Sequence, residues 1–157
     1  MTLVAEYTDA RRGEDLARLR RVLALRAMLA SGMSQREVAR ALGVSQPAVS
    51  QQLRFAPDLA QIDPATLIQA AGPVLKALAG ERGFTRLAAF GSLARGQAGP
   101  ESDLDLLVRA PKGTSSFGLV KFQRLLEDVL GREVDLVEYG GLKPGVDDDI
   151  RHEAVLL

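Results

Sequence analysis

Aspartates stand where apolar residues belong in two stretches of this chain. The run Asp103-Leu104-Asp105-Leu106-Leu107-Val108 reads as a strand of period two, so Asp103, Asp105 and Leu107 share one face and Leu104, Leu106 and Val108 the other. Asp135 sits between Val134 and Leu136 in a second such stretch, REVDLVEYG. Two like charges a few ångströms apart raise one pKa and cost stability unless something positive lies between them. A divalent cation does that, and a pair of Mg²⁺ ions about 3.5–4 Å apart is the usual device for in-line displacement at phosphorus. With no cysteine and one histidine, His152, in the chain, a metal here has to be held by oxygens, which suits Mg²⁺ or Mn²⁺.

Positioning these carboxylates takes at least three strands. Phe84 to Phe90, FTRLAAF, reads as a short buried strand running into Gly91-Ser92, after which LARG makes one or two helical turns before the strand at Asp103. SSFGLVKFQRLLEDVLG is a helix ending at Gly131, followed by the strand that carries Asp135. Side by side, these strands converge three aspartates on one point. The acids Asp147, Asp148 and Asp149 are expected to cap a last helix starting near Asp149, and His152 to lie on the surface.

Gly91-Ser92, Arg95-Gly96, Asp103-Leu104-Asp105 and Asp135 together resemble the motif of the DNA polymerase β-type nucleotidyltransferases, most closely their minimal group, the MNT proteins. The resemblance covers about residues 74 to 157, including the terminal HEAVLL. It implies an α+β fold with a small mixed-sheet, palm-like domain. It further implies that Asp103 and Asp105 coordinate two Mg²⁺ ions, while Asp135 completes the second metal site or accepts a proton from the attacking hydroxyl. Backbone N–H groups at Gly91-Ser92 would hold the terminal phosphates of a nucleoside triphosphate, with the Ser92 hydroxyl helping. Arg95 would stabilise phosphate charge or hold the loop, and Gly96 would permit the turn.

The N-terminal half has a different character. Residues 1–57 carry nine arginines, no lysine and five acids, hence +4, and the remaining residues carry −4, so the formal net charge of zero conceals two halves with different jobs. Leu16, Leu19, Leu23, Ala27 and Ala30 recur at helical spacing through residues 14–30, an amphipathic helix stopped by Ser31-Gly32. Ser34 with Glu37 has capping-box spacing, Val38, Ala39 and Leu42 give an apolar face, and Gly43 falls where a left-handed C-terminal turn belongs. Ser45 caps a second short helix that tolerates Pro47 in its first turn, and Val44 and Val49 are expected to fill the wedge between the helices.

Residues 34 to 53 resemble a helix-turn-helix DNA-binding motif, in which the second helix enters the major groove. The resemblance puts Gln46, Pro47, Ser50 and Gln51 toward base edges and Arg36, Arg40 and Arg54 toward phosphates. FAPDLAQID, residues 55–63, reads as a linker, and Gly72-Pro73 is expected to split residues 64–83 into two helices. The expected organisation is an all-α DNA-binding domain over 1–57, a linker or helical arm over 58–72 and a minimal nucleotidyltransferase domain over 73–157.

No apolar run approaches the roughly 20 residues that span a bilayer, and the first residues lack the basic-then-apolar order of a signal peptide, so a soluble, cytoplasmic protein without a membrane partner is expected. MNT proteins resemble the antitoxin half of HEPN/MNT toxin–antitoxin pairs, which implies transfer of AMP from ATP to a tyrosine hydroxyl of a HEPN toxin, with autoregulation at operator DNA by a dimer. Two other readings stay open: a DNA-binding regulator whose nucleotidyltransferase half senses nucleotide or partner without catalysis, and a small-molecule nucleotidyltransferase acting on an antibiotic.

Overall fold

The alternation of buried and polar residues fixes a four-stranded mixed sheet. The computed structural model describes residues 2–157 and orders the strands β3-β2-β1-β4, with β1 Thr85–Ala89, β2 Leu104–Arg109, β3 Val134–Glu138 and β4 Val155–Leu156. β1 runs antiparallel to β2 and β4, while β2 and β3 are parallel. A parallel pair needs a crossover, and the helix Ser116–Leu130 supplies it, capped by the Ser115 hydroxyl accepting from the Gly118 N–H at 3.1 Å. Leu104, Leu106 and Val108 bury one face of β2 in the main core together with Leu87, Ala89, Val134 and Leu136. Leu107 points the other way, into a smaller cluster with Ala88, Phe90 and Leu142. The period of two therefore leaves the aspartates on the thinly covered face.

Helices make up most of the rest of the described chain. In chain order they are α1 Leu3–Ala30, α2 Gln35–Leu42, α3 Gln46–Arg54, α4 Pro64–Gly80, α5 Gly91–Ala94, the crossover α6 Ser116–Leu130, and α7 Asp148–Glu153. α1 belongs to two cores at once. Leu19, Leu23 and Ala27 enter the main core, whereas Leu25, with Met28 and Leu29, packs on Val38, Ala39 and Val49 of α2 and α3. Arg26 fastens α1 to the C-terminal end of α6, its Nε donating to the Val129 carbonyl at 2.8 Å and Nη2 to the Asp128 carbonyl at 2.7 Å. A guanidinium there satisfies carbonyls that the helix leaves without partners.

Several expectations need correction. α1 begins at Leu3 rather than near residue 14, with the Thr2 hydroxyl accepting from the Ala5 N–H at 3.1 Å. Apolar periodicity marks only its packed part; the earlier turns are exposed and helical by propensity. Gly72-Pro73 does not break α4, which runs through to Gly80. Burial of Leu67, Ala71, Leu75 and Leu78 on one continuous face outweighs the roughly 3 kcal/mol that an internal proline costs. Residues 55–63, read as a linker, join α3 to α4 while packed against the main core through the buried Leu59 and through Ile62.

The capping box at Ser34 and Glu37 and the left-handed Gly43 (φ 69°) form as expected. Of the two valines expected in the wedge, Val49 is fully buried with Val38 and Ala39, whereas Val44 is 42% exposed, and Leu42, expected on the apolar face, is 49% exposed; α1 completes the core from behind with Leu25, Met28 and Leu29. The last helix starts at Asp148, and its acids tie the preceding turn instead of capping it: Asp147 accepts from the Lys143 N–H and Asp148 from the Gly145 N–H.

Candidate active site

β1 delivers the chain to the start of β2, and the turn between them is built around one glycine. Phe90 is extended and donates its N–H to the Asp105 carbonyl at 3.0 Å, after which Gly91 turns into the left-handed region at φ 64°. A Cβ on Gly91 would lie 2.5 Å from an Asp105 carboxylate oxygen. Only glycine lets this turn approach the carboxylate so closely, which is the physical reason for the Gly91-Ser92 pair in the sequence. The short helix α5 follows, and Gly96, at φ 70°, closes it.

Asp105 and Asp135 are register partners on the parallel strands β2 and β3, so their side chains leave the same face side by side. Asp103 lies two residues before Asp105, just ahead of the strand, and is exposed like Asp135. Burial, the charges of Asp135 and then Asp103 push the Asp105 carboxyl above its ordinary value, with Arg95 opposing and Glu153 adding to the rise. Three carboxylates that feel one another's charge are a donor set suited to a hard divalent cation. Among the described residues no three acidic or histidine side chains are already closed around one point, so the convergence expected from the sequence is one of neighbouring backbone positions and coupled charge. The residues fit a hard divalent cation in kind, as carboxylate oxygen donors.

Arg95 reaches back over the turn, donating from Nη1 to Glu153 at 2.8 Å and from Nε to the Gln97 side chain at 3.2 Å. The Gly91 N–H donates to the other Glu153 oxygen at 2.9 Å. Ser92 is half-buried beside it, and its carbonyl accepts from the Gln97 N–H at 2.8 Å. Glu153 was missed in the sequence, where it is one acid in HEAVLL; nothing local marks a residue whose partners stand 58 and 62 positions away. His152 is exposed and turned to the Asp148 carbonyl, away from this chemistry.

The family of the nucleotidyltransferase domain matches residues 74–157, just over half of the chain and the part that carries this site. The chain belongs to that family. It is a nucleotidyltransferase of the minimal kind, with few elements beyond the sheet, the turn and their covering helices. The enzyme is 41% identical over 75 residues to "Putative protein adenylyltransferase MJ0435" of Methanocaldococcus jannaschii, a match spanning 48% of this chain and 81% of the relative. It is 36% identical over 73 residues to "Protein adenylyltransferase MntA" of Thermococcus cleftensis, spanning 46% and 74% respectively. A solved structure described as "Structure of putative minimal nucleotidyltransferase" superposes with a TM-score of 0.55 at 36% identity, covering 62% of this chain and 98% of that one.

The residues expected to read DNA are kept apart from the aspartates. Gln46, Pro47, Gln51, Arg36, Arg40 and Arg54 are exposed and Ser50 half-exposed on the α2–α3 pair, which packs on α1. Gln46 is engaged within the pair, donating to the Gln35 side chain at 2.8 Å.

Proposed function

We propose that this nucleotidyltransferase transfers AMP from ATP to a hydroxyl of a partner protein, a tyrosine of a HEPN-type toxin, and that its α2–α3 pair is a helix-turn-helix that binds operator DNA. The observation that carries the transfer is the register pairing of Asp105 with Asp135, with Asp103 on the same edge and the Gly91 turn held against Asp105. The two relatives, named as a putative protein adenylyltransferase and a protein adenylyltransferase, support a protein acceptor.

In this reading Asp103, Asp105 and Asp135 hold two Mg²⁺ ions, which when bound neutralise phosphate charge and lower the pKa of the attacking hydroxyl. The Gly91–Arg95 turn binds the β- and γ-phosphates, with Arg95 offering its remaining guanidinium donors. The acceptor oxygen forms a bond to the α-phosphorus, the bond from that phosphorus to the bridging oxygen breaks, and pyrophosphate leaves. Asp135, exposed at the edge of the carboxylate group, takes the hydroxyl proton, or else serves purely as a ligand. On the DNA side, Gln46, Ser50 and Gln51 face bases while Arg36 and Arg54 meet phosphates, and two copies of the chain on a two-fold operator provide two reading heads.

Neutralisation of the toxin in cells separates this account from a non-catalytic regulator. Asp103→Ala and Asp105→Ala are expected to abolish protection while leaving operator binding intact. Undiminished protection by either variant would contradict the enzymatic reading and favour a regulator that senses its partner by binding.

A further inference from the structure

A single carboxylate clasps both ends of the turn that faces Asp105. Glu153 ends α7, next to β4, whose residues pair with β1 as Ala88 with Leu156 and Ala89 with Val155. One Glu153 oxygen accepts the Gly91 N–H at 2.9 Å and the other accepts Arg95 Nη1 at 2.8 Å. Gln97 takes the Nε of the same guanidinium at 3.2 Å, so Arg95 is fixed along two of its edges although its side chain is 49% exposed. Gly91, at the other end of the clasp, is the residue that allows no Cβ against Asp105.

An exposed arginine ordinarily samples many rotamers, and a ligand that uses it must meet the cost of ordering it. Here that ordering is already done by a residue from the far end of the chain. We propose that Glu153 is a positioning residue for nucleotidyl transfer: it locks the Gly91–Arg95 turn beside Asp105 and aims the free donors of Arg95, making the C-terminal segment α7–β4 a working part of the active site. The inference rests on the reading of that turn as the nucleotide loop.

The test uses the full chain and ATP with Mg²⁺, comparing wild type with Glu153→Ala, Glu153→Gln, Arg95→Ala and the Glu153→Ala/Arg95→Ala pair. Equilibrium binding by calorimetry and kcat and KM for ATP are the readouts, with thermal melting alongside. Glu153→Ala is expected to weaken ATP binding and raise its KM about tenfold, the loss associated with a charge-assisted hydrogen bond. KM for the protein acceptor should stay unchanged. Glu153→Gln should recover part of the loss, because its amide oxygen still accepts from Gly91, and Glu153→Ala should have a much smaller effect when Arg95 is already absent. Unchanged or tighter ATP binding in Glu153→Ala would overturn the proposal, tighter binding identifying Glu153 as an occupant of the donors. Equal losses of Glu153→Ala in both Arg95 backgrounds would also overturn it, by showing a purely structural role. Wild-type protein that binds no ATP would sink the nucleotide-loop reading and this inference together, whereas wild-type binding matched by Glu153→Ala sinks the inference alone.

Discussion

Asp105 works against the fold that holds it. Its half-buried carboxyl is pushed up by burial and by the charges of Asp135 and Asp103, so ionising it costs the folded state more than the unfolded one. Stability therefore falls as pH rises from 3.8 through the raised folded value, and the penalty is fully present above it. Asp105→Asn removes the charge at nearly constant volume. In a chelator, its melting temperature should rise above that of the wild type at neutral pH, while nucleotidyl transfer is lost. Calorimetric scans of the two proteins check this, and a fall in melting temperature would contradict the repulsion account. Glu153 has the opposite sign: Arg95 first, and then the Gly91 N–H, hold its carboxyl below 4.5, so its contribution is present above that pH and is lost on acidification through the lowered value.

At the scale of elements, the sequence showed most clearly those features whose cause is local. The strand at Asp103–Val108 announces itself by alternation, and the α2–α3 pair by its caps, because Ser34, Glu37, Gly43 and Ser45 act on their own neighbours. What escaped is governed by distant packing. The cost of Pro73 is visible in the sequence, but the buried face of Leu67, Ala71, Leu75 and Leu78 that overrides it becomes visible only in the fold. Val44 looks as apolar as Val49, but only Val49 enters the small core, which α1 completes with Leu25. That Asp103 and Asp105 share a face could be read from period two alone, whereas the Glu153 clasp depends on how β4 closes the sheet. The α2–α3 pair carries its own prediction. If α3 reads bases, Gln51→Ala and Gln46→Ala should weaken binding to the operator selectively, by about 1–3 kcal/mol for a lost bidentate contact. Arg54→Ala should weaken all DNA alike and reduce the salt dependence. Gel shifts on operator and scrambled duplexes distinguish these, and equal affinity in every variant would discard the assignment.

Over the whole molecule, the transferase core and the α2–α3 pair share one helix. α1 lends Leu19, Leu23 and Ala27 to the transferase core and Leu25 to the α2–α3 core, and Arg26 pins it to α6. No helix among the described residues is long and apolar enough to cross a membrane. The charge asymmetry, +4 against −4, follows the same division, with arginines on the side proposed for DNA and carboxylates on the side proposed for Mg²⁺ and nucleotide. The measurement that bears most directly on the central claim is mass spectrometry of the HEPN-type partner after incubation with this protein, labelled ATP and Mg²⁺, with Asp103→Ala as control. An AMP adduct on a partner tyrosine that is absent with Asp103→Ala is the predicted result. A partner that stays unmodified while the protein binds it, or an adduct that persists without Asp103, would contradict the account.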